Sequence, residues 1–84
     1  SGALLRTFSI GSTEAWSVAF TPSGRTVAVG AKDGTVTLYS VFGVERLRRI
    51  EAHPSGVIAL AFDASGSVLV SGGADRVVRV WKNL

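Results

Sequence analysis

The single histidine of the chain, His53, precedes two residues that could work with it chemically, Ser71 and Asp75. These are the residue types of an acyl-transfer triad, in which a histidine activates a serine and a carboxylate orients the histidine. Ser71, however, falls in a run that reads as a buried strand, and no exposed Gly-x-Ser-x-Gly elbow presents it as a nucleophile. We therefore expect no catalytic residue and no enzymatic activity.

The sequence offers equally little for a cofactor or a metal. The glycine-rich run Ser71-Gly72-Gly73-Ala74-Asp75 lacks the Gly-Lys-Ser/Thr ending of a phosphate-binding loop. Because the chain has no cysteine and one histidine, too few ligands remain for a zinc site within a single copy. We expect neither a cofactor nor a bound metal.

The composition is that of a folded, core-forming unit. Of the 84 residues, 46% are hydrophobic and 18% are charged, and the formal net charge is +3. The longest apolar run, residues 57–62, is far shorter than the roughly 20 residues that cross a bilayer. The basic residues cluster only at Arg46, Arg48 and Arg49, which is typical of a solvated edge strand. We expect no membrane and no nucleic-acid partner. The sequence carries no signal for a cellular compartment, and a chain expressed in a cell is expected in the cytoplasm.

An internal repeat of 42 residues runs through the whole chain. A shift of 42 superposes residues 15–24 on residues 57–66 without a gap. Identical pairs across the shift include Ala19/Ala61, Phe20/Phe62, Gly24/Gly66, Gly30/Gly72, Asp33/Asp75 and Val36/Val78. We interpret the chain as a single unit, residues 1–84, made of one repeat at about 1–42 and another at about 43–84.

Each repeat is predicted to be all-β. Short runs of β-branched and aromatic residues alternate with turn residues such as Asp33-Gly34, and no helical period persists. We predict four strands per repeat, lettered a to d from the inside outward, with d first along the chain. The predicted d, a, b and c strands are residues 4–10, 16–21, 26–31 and 35–41 in the first repeat and 46–51, 57–63, 68–73 and 77–82 in the second.

Both faces of these strands are apolar. In strand a of the first repeat, simple alternation puts Trp16, Val18 and Phe20 on one face and Ala15 and Ala19 on the other. A sheet that is apolar on both faces must be covered on both, which suits blades stacked around an axis rather than a two-layer sandwich. The pattern predicts an all-β propeller with two four-stranded antiparallel blades per chain, and it favours a blade-to-blade contact for Trp16.

The run from Ser71 to Trp81 resembles the second half of a blade in the WD-repeat β-propeller family, and residues 51–54 stand where that family has its Gly-His pair. The resemblance extends over the whole chain. It implies a buried hydrogen-bonded tetrad that braces the blade, with a carboxylate on one imidazole nitrogen and a hydroxyl shared by the other nitrogen and an indole N–H. The four residues at these positions are His53, Ser71, Asp75 and Trp81.

The first repeat departs from this tetrad. It has Gly11, Val29 and Tyr39 at the positions of the histidine, serine and tryptophan, and it keeps only Asp33. The Trp-Asp pair that closes a family repeat is Trp81-Lys82 in the second repeat. The resemblance therefore rests on the spacing and on the turn residues.

Two blades cannot close a ring by themselves. Strand d of the second repeat can complete the first blade, but strand d of the first repeat and strand c of the second have no partner in the chain. We expect them to pair between copies, because a closed cyclic assembly removes exposed edges. The expected pairing residues are Leu4, Leu5, Arg6, Thr7 and Phe8 on one side and Val77, Val78, Arg79, Val80 and Trp81 on the other.

The blade number of such a ring must be even. We favour eight blades from four chains with C4 symmetry, and six blades from three chains with C3 symmetry come second. The integral number of repeats and the absence of an initiator methionine favour an engineered or excised two-blade unit.

The sequence thus predicts a self-assembling, non-catalytic structural scaffold that forms a cyclic homo-oligomer. The alternative is a protein-interaction module, the role that the family resemblance implies, binding a peptide or protein on one face of the ring. Lys32 and Arg76 are the basic candidates for such a contact. The loops around them are otherwise small and polar and lack aromatic anchors, which favours the scaffold.

Overall fold

The computed structural model describes residues 2–4, 7–43 and 46–82, and within them the chain forms two antiparallel sheets. The first sheet has four strands in the order β1-β2-β3-β4, and the second has three in the order β5-β6-β7. The strands are β1 (Ala15–Phe20), β2 (Thr26–Ala31), β3 (Thr35–Ser40), β4 (Arg46–Glu51), β5 (Val57–Phe62), β6 (Val68–Gly73) and β7 (Val78–Lys82). The predicted all-β fold with two antiparallel blades is confirmed, and β4 completes the first blade although it begins the second repeat. No helix that could cross a membrane occurs in the described residues.

The predicted strand at residues 4–10 is not formed. Among its described residues, Leu4 and Thr7–Ile10, none belongs to a strand, and Leu5 and Arg6 lie outside the described residues. A β-strand is defined by its hydrogen-bonded neighbour, and neither described sheet includes this segment. The other predicted strands agree with the observed ones to within one residue at each end.

A hydrophobic core fills the space between the two blades. Alternation along β2 and β3 directs one set of side chains at the second blade, which supplies its own larger residues from β5, β6 and β7. The buried members of this core are Ala28, Val36, Leu38, Ala52, Val57 and Leu69, and Leu60, Phe62 and Trp81 pack against them.

The two blades are in close contact at Gly30 in β2. A Cβ added there would lie 2.8 Å from the Cβ of Val57, so only glycine leaves room for the valine of the other blade. Beside this contact, the hydroxyl of Ser17 donates a hydrogen bond to the Val57 carbonyl over 3.0 Å. The interface between the blades is therefore both close-packed and hydrogen-bonded.

A second apolar cluster covers the opposite face of the first blade. Val27, Val29 and Tyr39 are buried there, and Phe8 and Ile10 from the N-terminal segment pack on them. The rings of Phe8 and Tyr39 are stacked, with centroids 4.6 Å apart. Residues 7–10 thus lie along the face of the first blade that the second blade does not cover.

The prediction that Trp16 shares a face with Val18 and Phe20 is wrong. The pairing of β1 with β2 shifts register between Ala15 and Ser17, and this irregularity turns Trp16 off the face that alternation assigns to it. The Trp16 ring lies against Gly56, at the start of the second blade. The contact between blades that we favoured for Trp16 is therefore present, but it is made from the other face.

Candidate functional site

His53 is placed by the loop between β4 and β5. The backbone N–H groups of Ala52 and His53 both donate to the carbonyl of Gly34, over 2.9 and 3.0 Å. These bonds tie the loop to the turn between β2 and β3 of the first blade. The imidazole consequently enters the second blade from a fixed position.

The imidazole of His53 joins a chain of buried hydrogen bonds. Its Nδ1 lies 3.0 Å from Oδ1 of Asp75, and its Nε2 lies 2.9 Å from the hydroxyl of Ser71. The indole N–H of Trp81 donates to the same hydroxyl over 2.9 Å. Because a carboxylate only accepts, Nδ1 carries the hydrogen of the first contact, and Nε2 accepts from Ser71. Arg79 Nη1 also lies 3.0 Å from Nδ1, and with this tautomer it donates to the Asp75 carboxylate and not to the ring. The four residues singled out in the sequence lie in one connected network.

Asp75 is the charged end of this network. Burial acts to raise its pKa, but the hydrogen bonds from His53, the Val77 N–H and Arg79 act in the opposite direction and hold the pKa below its ordinary value. Arg79 donates from Nη1 to Oδ2 over 3.3 Å. The sequence assigned Arg79 only to strand pairing, yet its place two residues before Trp81 puts both side chains on the same face of β7.

Access to Ser71 is closed. Its side chain is fully buried, and its hydroxyl is engaged by both His53 and Trp81. A substrate carbonyl would have to displace the indole and enter the core to reach it. The arrangement satisfies a buried polar chain and keeps the hydroxyl of Ser71 out of reach as a nucleophile.

The corresponding place in the first blade is open. Oδ1 of Asp33 accepts from the hydroxyl and the N–H of Thr35, over 2.7 and 3.1 Å, and these bonds lower the pKa of Asp33. With Gly11 at the histidine position, no imidazole fills the space beside this carboxylate. A cavity of about 230 Å³ remains, and its lining includes Gly11, Val29, Asp33, Thr37 and Arg49.

The two basic candidates for partner binding differ in their surroundings. The ammonium of Lys32 lies 4.0 Å from the carboxylate of Glu14, and both side chains are exposed. Arg76 is exposed in the turn between β6 and β7 and has a backbone φ of +67°. Its guanidinium has no hydrogen bond or ion pair with the described part of its own chain.

Comparison with known proteins agrees with this geometry. The family model described as "WD domain, G-beta repeat" matches the chain twice, at residues 2–40 and 44–82. The chain belongs to the WD-repeat family. As a WD-repeat chain, it has a fold that serves as a propeller scaffold or as an interaction module.

Several WD-repeat relatives and one designed structure are similar to this chain. A periodic tryptophan protein 2 homolog of Schizosaccharomyces pombe is 37% identical over 78 residues, which are 90% of this chain and 9% of the relative. WD repeat-containing protein 90 of Xenopus tropicalis is 41% identical over 49 residues, 58% of this chain and 3% of the relative. The crystal structure of the computationally designed Ika4 protein matches 98% of this chain and 49% of its own, with a TM-score of 0.81 and 30% identity. The chain thus spans less than a tenth of these curated relatives and about half of the designed protein.

Replacing Ser71 with alanine tests the network of the WD-repeat tetrad. The change removes one small oxygen but leaves the Trp81 N–H and His53 Nε2 buried without a partner. We expect the free energy of unfolding to fall by about 1–3 kcal/mol, measured by urea denaturation at a single protein concentration. The exposed Ser55→Ala change is the matched control and should leave the midpoint unchanged; equal effects of the two would show that the network is not stabilising.

The lowered pKa of Asp75 predicts how stability depends on pH. A carboxyl whose folded pKa lies below its unfolded value, about 3.9, adds stability above that value and loses it as pH falls through the folded pKa. We expect the free energy of unfolding to drop as pH falls below about 5, and to drop less steeply in Asp75→Asn. Urea denaturation at intervals from pH 7 to pH 3 measures both slopes. Equal slopes would contradict the role given to Asp75.

Proposed function

We propose that this WD-repeat chain is a non-catalytic structural unit that assembles with copies of itself, head to tail, into a closed propeller. The observation that carries the proposal is that its two outer faces repeat the two halves of its own internal interface. Each chain would then offer its neighbours the surfaces that its blades already offer each other.

The first half of the internal interface recurs on the outer face of the second blade. Val36 and Leu38 are buried between the blades. The residues 42 positions later, Val78 and Val80, are 69% and 61% exposed. Gly30, which receives Val57, corresponds to Gly72, where an added Cβ would meet nothing closer than the Ala59 Cβ at 3.7 Å. The space above Gly30 that Val57 fills is thus repeated above Gly72, but no residue of the same chain fills it there.

The second half recurs on the outer face of the first blade. Leu60 and Phe62 pack into the core between the blades. Their counterparts 42 positions earlier, Val18 and Phe20, are 60% and 58% exposed. They line an apolar groove of about 650 Å³ together with Val27 and other residues of this face. An apolar surface of this kind, presented on both sides of a small protein, is typical of an association site.

These two faces differ from each other, so the contact they make is heterologous. The outer face of the second blade in one copy meets the outer face of the first blade in the next copy. Contacts of this kind form a ring when the rotation from copy to copy closes. Blades in a propeller contact only their neighbours, so a two-blade chain gains the full set of contacts only in the ring. We favour four chains and eight blades, with three chains and six blades as the second arrangement.

The contacts of the N-terminal segment with its own first blade support the proposed assembly. Ala74 N–H donates to the carbonyl of Gly56, and at the equivalent place Lys32 N–H donates to the carbonyl of Glu14. Likewise, Ile10 packs on the apolar cluster of the first blade, and Ala52, 42 positions later, belongs to the core between the blades. The segment thus lies along the first blade as the chain after β4 lies along the second.

The internal pairing of β3 with β4 predicts the register of the pairing between copies. Val36 is paired with Ile50, and Thr37 with Arg49. Adding 42 to the β3 positions and subtracting 42 from the β4 positions gives the register between copies. Val78 of one copy then lies opposite Phe8 of its neighbour, and Arg79 opposite Thr7. In this arrangement residues 4–9 become the missing fourth strand of the neighbour's β5-β6-β7 sheet.

The alternative, an interaction module that binds a peptide or protein on one face of the ring, is less well supported. The ammonium of Lys32 lies 4.0 Å from the carboxylate of Glu14, so its charge is partly offset.

The non-catalytic part of the proposal is supported by the burial of Ser71.

Gly72→Val tests the assembly directly. In a single chain the added methyl groups meet little beyond Ala59, but in the ring they fill the hole meant for Ala15 of the neighbour. We expect the variant to stay folded by circular dichroism yet to elute as a single chain in size exclusion, with a melting temperature that no longer depends on concentration.

Two further variants serve as comparisons for Gly72→Val. Gly30→Val fills the internal hole and should destabilise each chain by overpacking, by about 1–3 kcal/mol or more. Ala64→Val, in an exposed turn, should change neither stability nor assembly. A Gly72→Val protein that assembles as well as Ala64→Val would refute the proposed interface.

A further inference from the structure

The junction between copies cannot be an exact copy of the junction between blades. Within the chain, Gly34 lies so close to the backbone of His53 that an added Cβ would run into the His53 carbonyl oxygen. At the junction between copies, the equivalent residues are Arg76 of one chain and Gly11 of the next. An arginine therefore replaces the glycine on one side, and a glycine replaces the histidine on the other.

Arg76 has an unfavourable backbone conformation within its own chain. It is the only non-glycine among the described residues with a positive φ, +67°, while Gly34 at the equivalent place has a φ of +93°. The left-handed conformation is unfavourable for an L-residue, because its Cβ comes too close to the following carbonyl oxygen. Residues held in such conformations cluster at functional contacts, and the guanidinium of Arg76 has no partner among the described residues of its chain.

The opposite side of this junction contains the cavity of the first blade. In the second blade the same space holds the imidazole of His53, with Arg79 beside it. In the first blade, Gly11 stands at the position of His53 and Thr37 at that of Arg79. These smaller residues leave a cavity of about 230 Å³ beside Asp33. Oδ1 of Asp33 is used by Thr35, and Oδ2 has no hydrogen bond with a described residue. Arg49 also lines the cavity. It donates no hydrogen bond to Asp33 among the described residues, but its charge adds to the hydrogen bonds from Thr35 in lowering the pKa of Asp33.

Building on the proposed assembly, we propose that Arg76 of one copy enters the cavity of the next copy and pairs with Oδ2 of its Asp33. The site is then made by two chains, and its ligand is the guanidinium of a second copy. Gly11 has a φ of +96°, a conformation that His53 does not share, so the backbone of the first blade differs here from that of the second, as the replacement of Gly34 by Arg76 requires. The intersubunit pair occupies the place that the His53–Asp75 contact occupies in the second blade.

A double-mutant cycle on the full chain tests this pair. The variants are Arg76→Ala, Asp33→Asn and the double variant, and the Asp33→Asn change retains the side-chain oxygen that caps the turn at Thr35. Association constants come from sedimentation across a dilution series. We expect each single change to weaken association about tenfold or more, and the double change to weaken it no further than the stronger single. Arg25→Ala, which removes another exposed arginine, controls for the loss of charge.

Arg76→Gly separates the ion pair from a purely structural role. Glycine relieves the positive φ, so in dilute, unassembled protein its urea midpoint should rise. Its association should nevertheless weaken as in Arg76→Ala.

Three results would count against these ideas in different ways. Independent effects in the cycle, or an Arg76→Ala protein that associates as strongly as Arg25→Ala, would overturn the ion pair while the assembly stands. A wild-type chain that stays a monomer at every concentration would overturn the assembly itself, and the pair with it.

Discussion

A four-stranded sheet that is apolar on both faces must be covered on both, and the rest of this structure follows from that requirement. Each blade here covers one face of the other, and Gly30 leaves room for Val57 of the facing blade. The remaining two faces stay apolar and carry exposed residues such as Val18 and Val80. Such faces are stable in water only when another blade, or a covering segment, removes them from solvent.

The two blades are held in a single arrangement by different kinds of interaction. The second blade uses a buried polar chain from Asp75 through His53 and Ser71 to Trp81. A fully satisfied chain of this kind fixes one arrangement of its strands, because any other leaves buried groups unpaired. The first blade has no such chain in its described residues and relies on apolar contact, with Phe8 stacked on Tyr39. The cavity beside Asp33 remains because the first blade has Gly11 at the position where the second blade has His53.

Much of the architecture could be predicted from sequence because its signals are local and repeated. Turn residues and alternation located seven strands to within a residue, and the strand order d, a, b, c along each repeat placed β4 in the first blade's sheet. His53, Ser71, Asp75 and Trp81 were found through their family resemblance, and their side chains do meet.

Other features depend on contacts that no local pattern records. The irregular pairing near Ala15 redirects Trp16 toward Gly56, because a bulge reverses the alternation on which the prediction rests. Residues 4–10 have the alternation of a strand but form none in the described residues, because strand formation depends on a neighbour rather than on composition. The role of Arg79 beside Asp75 required knowing which side chains share the face of β7.

The central claim is that the internal interface between blades is repeated between chains. Its most direct test is the solution mass of the unmodified chain, measured by light scattering coupled to size exclusion over a wide dilution range. The account predicts a mass of four chains, or of three for a six-bladed ring, that dissociates on dilution. A stable monomer at every concentration would contradict it, because the outer faces would then be covered within a single chain.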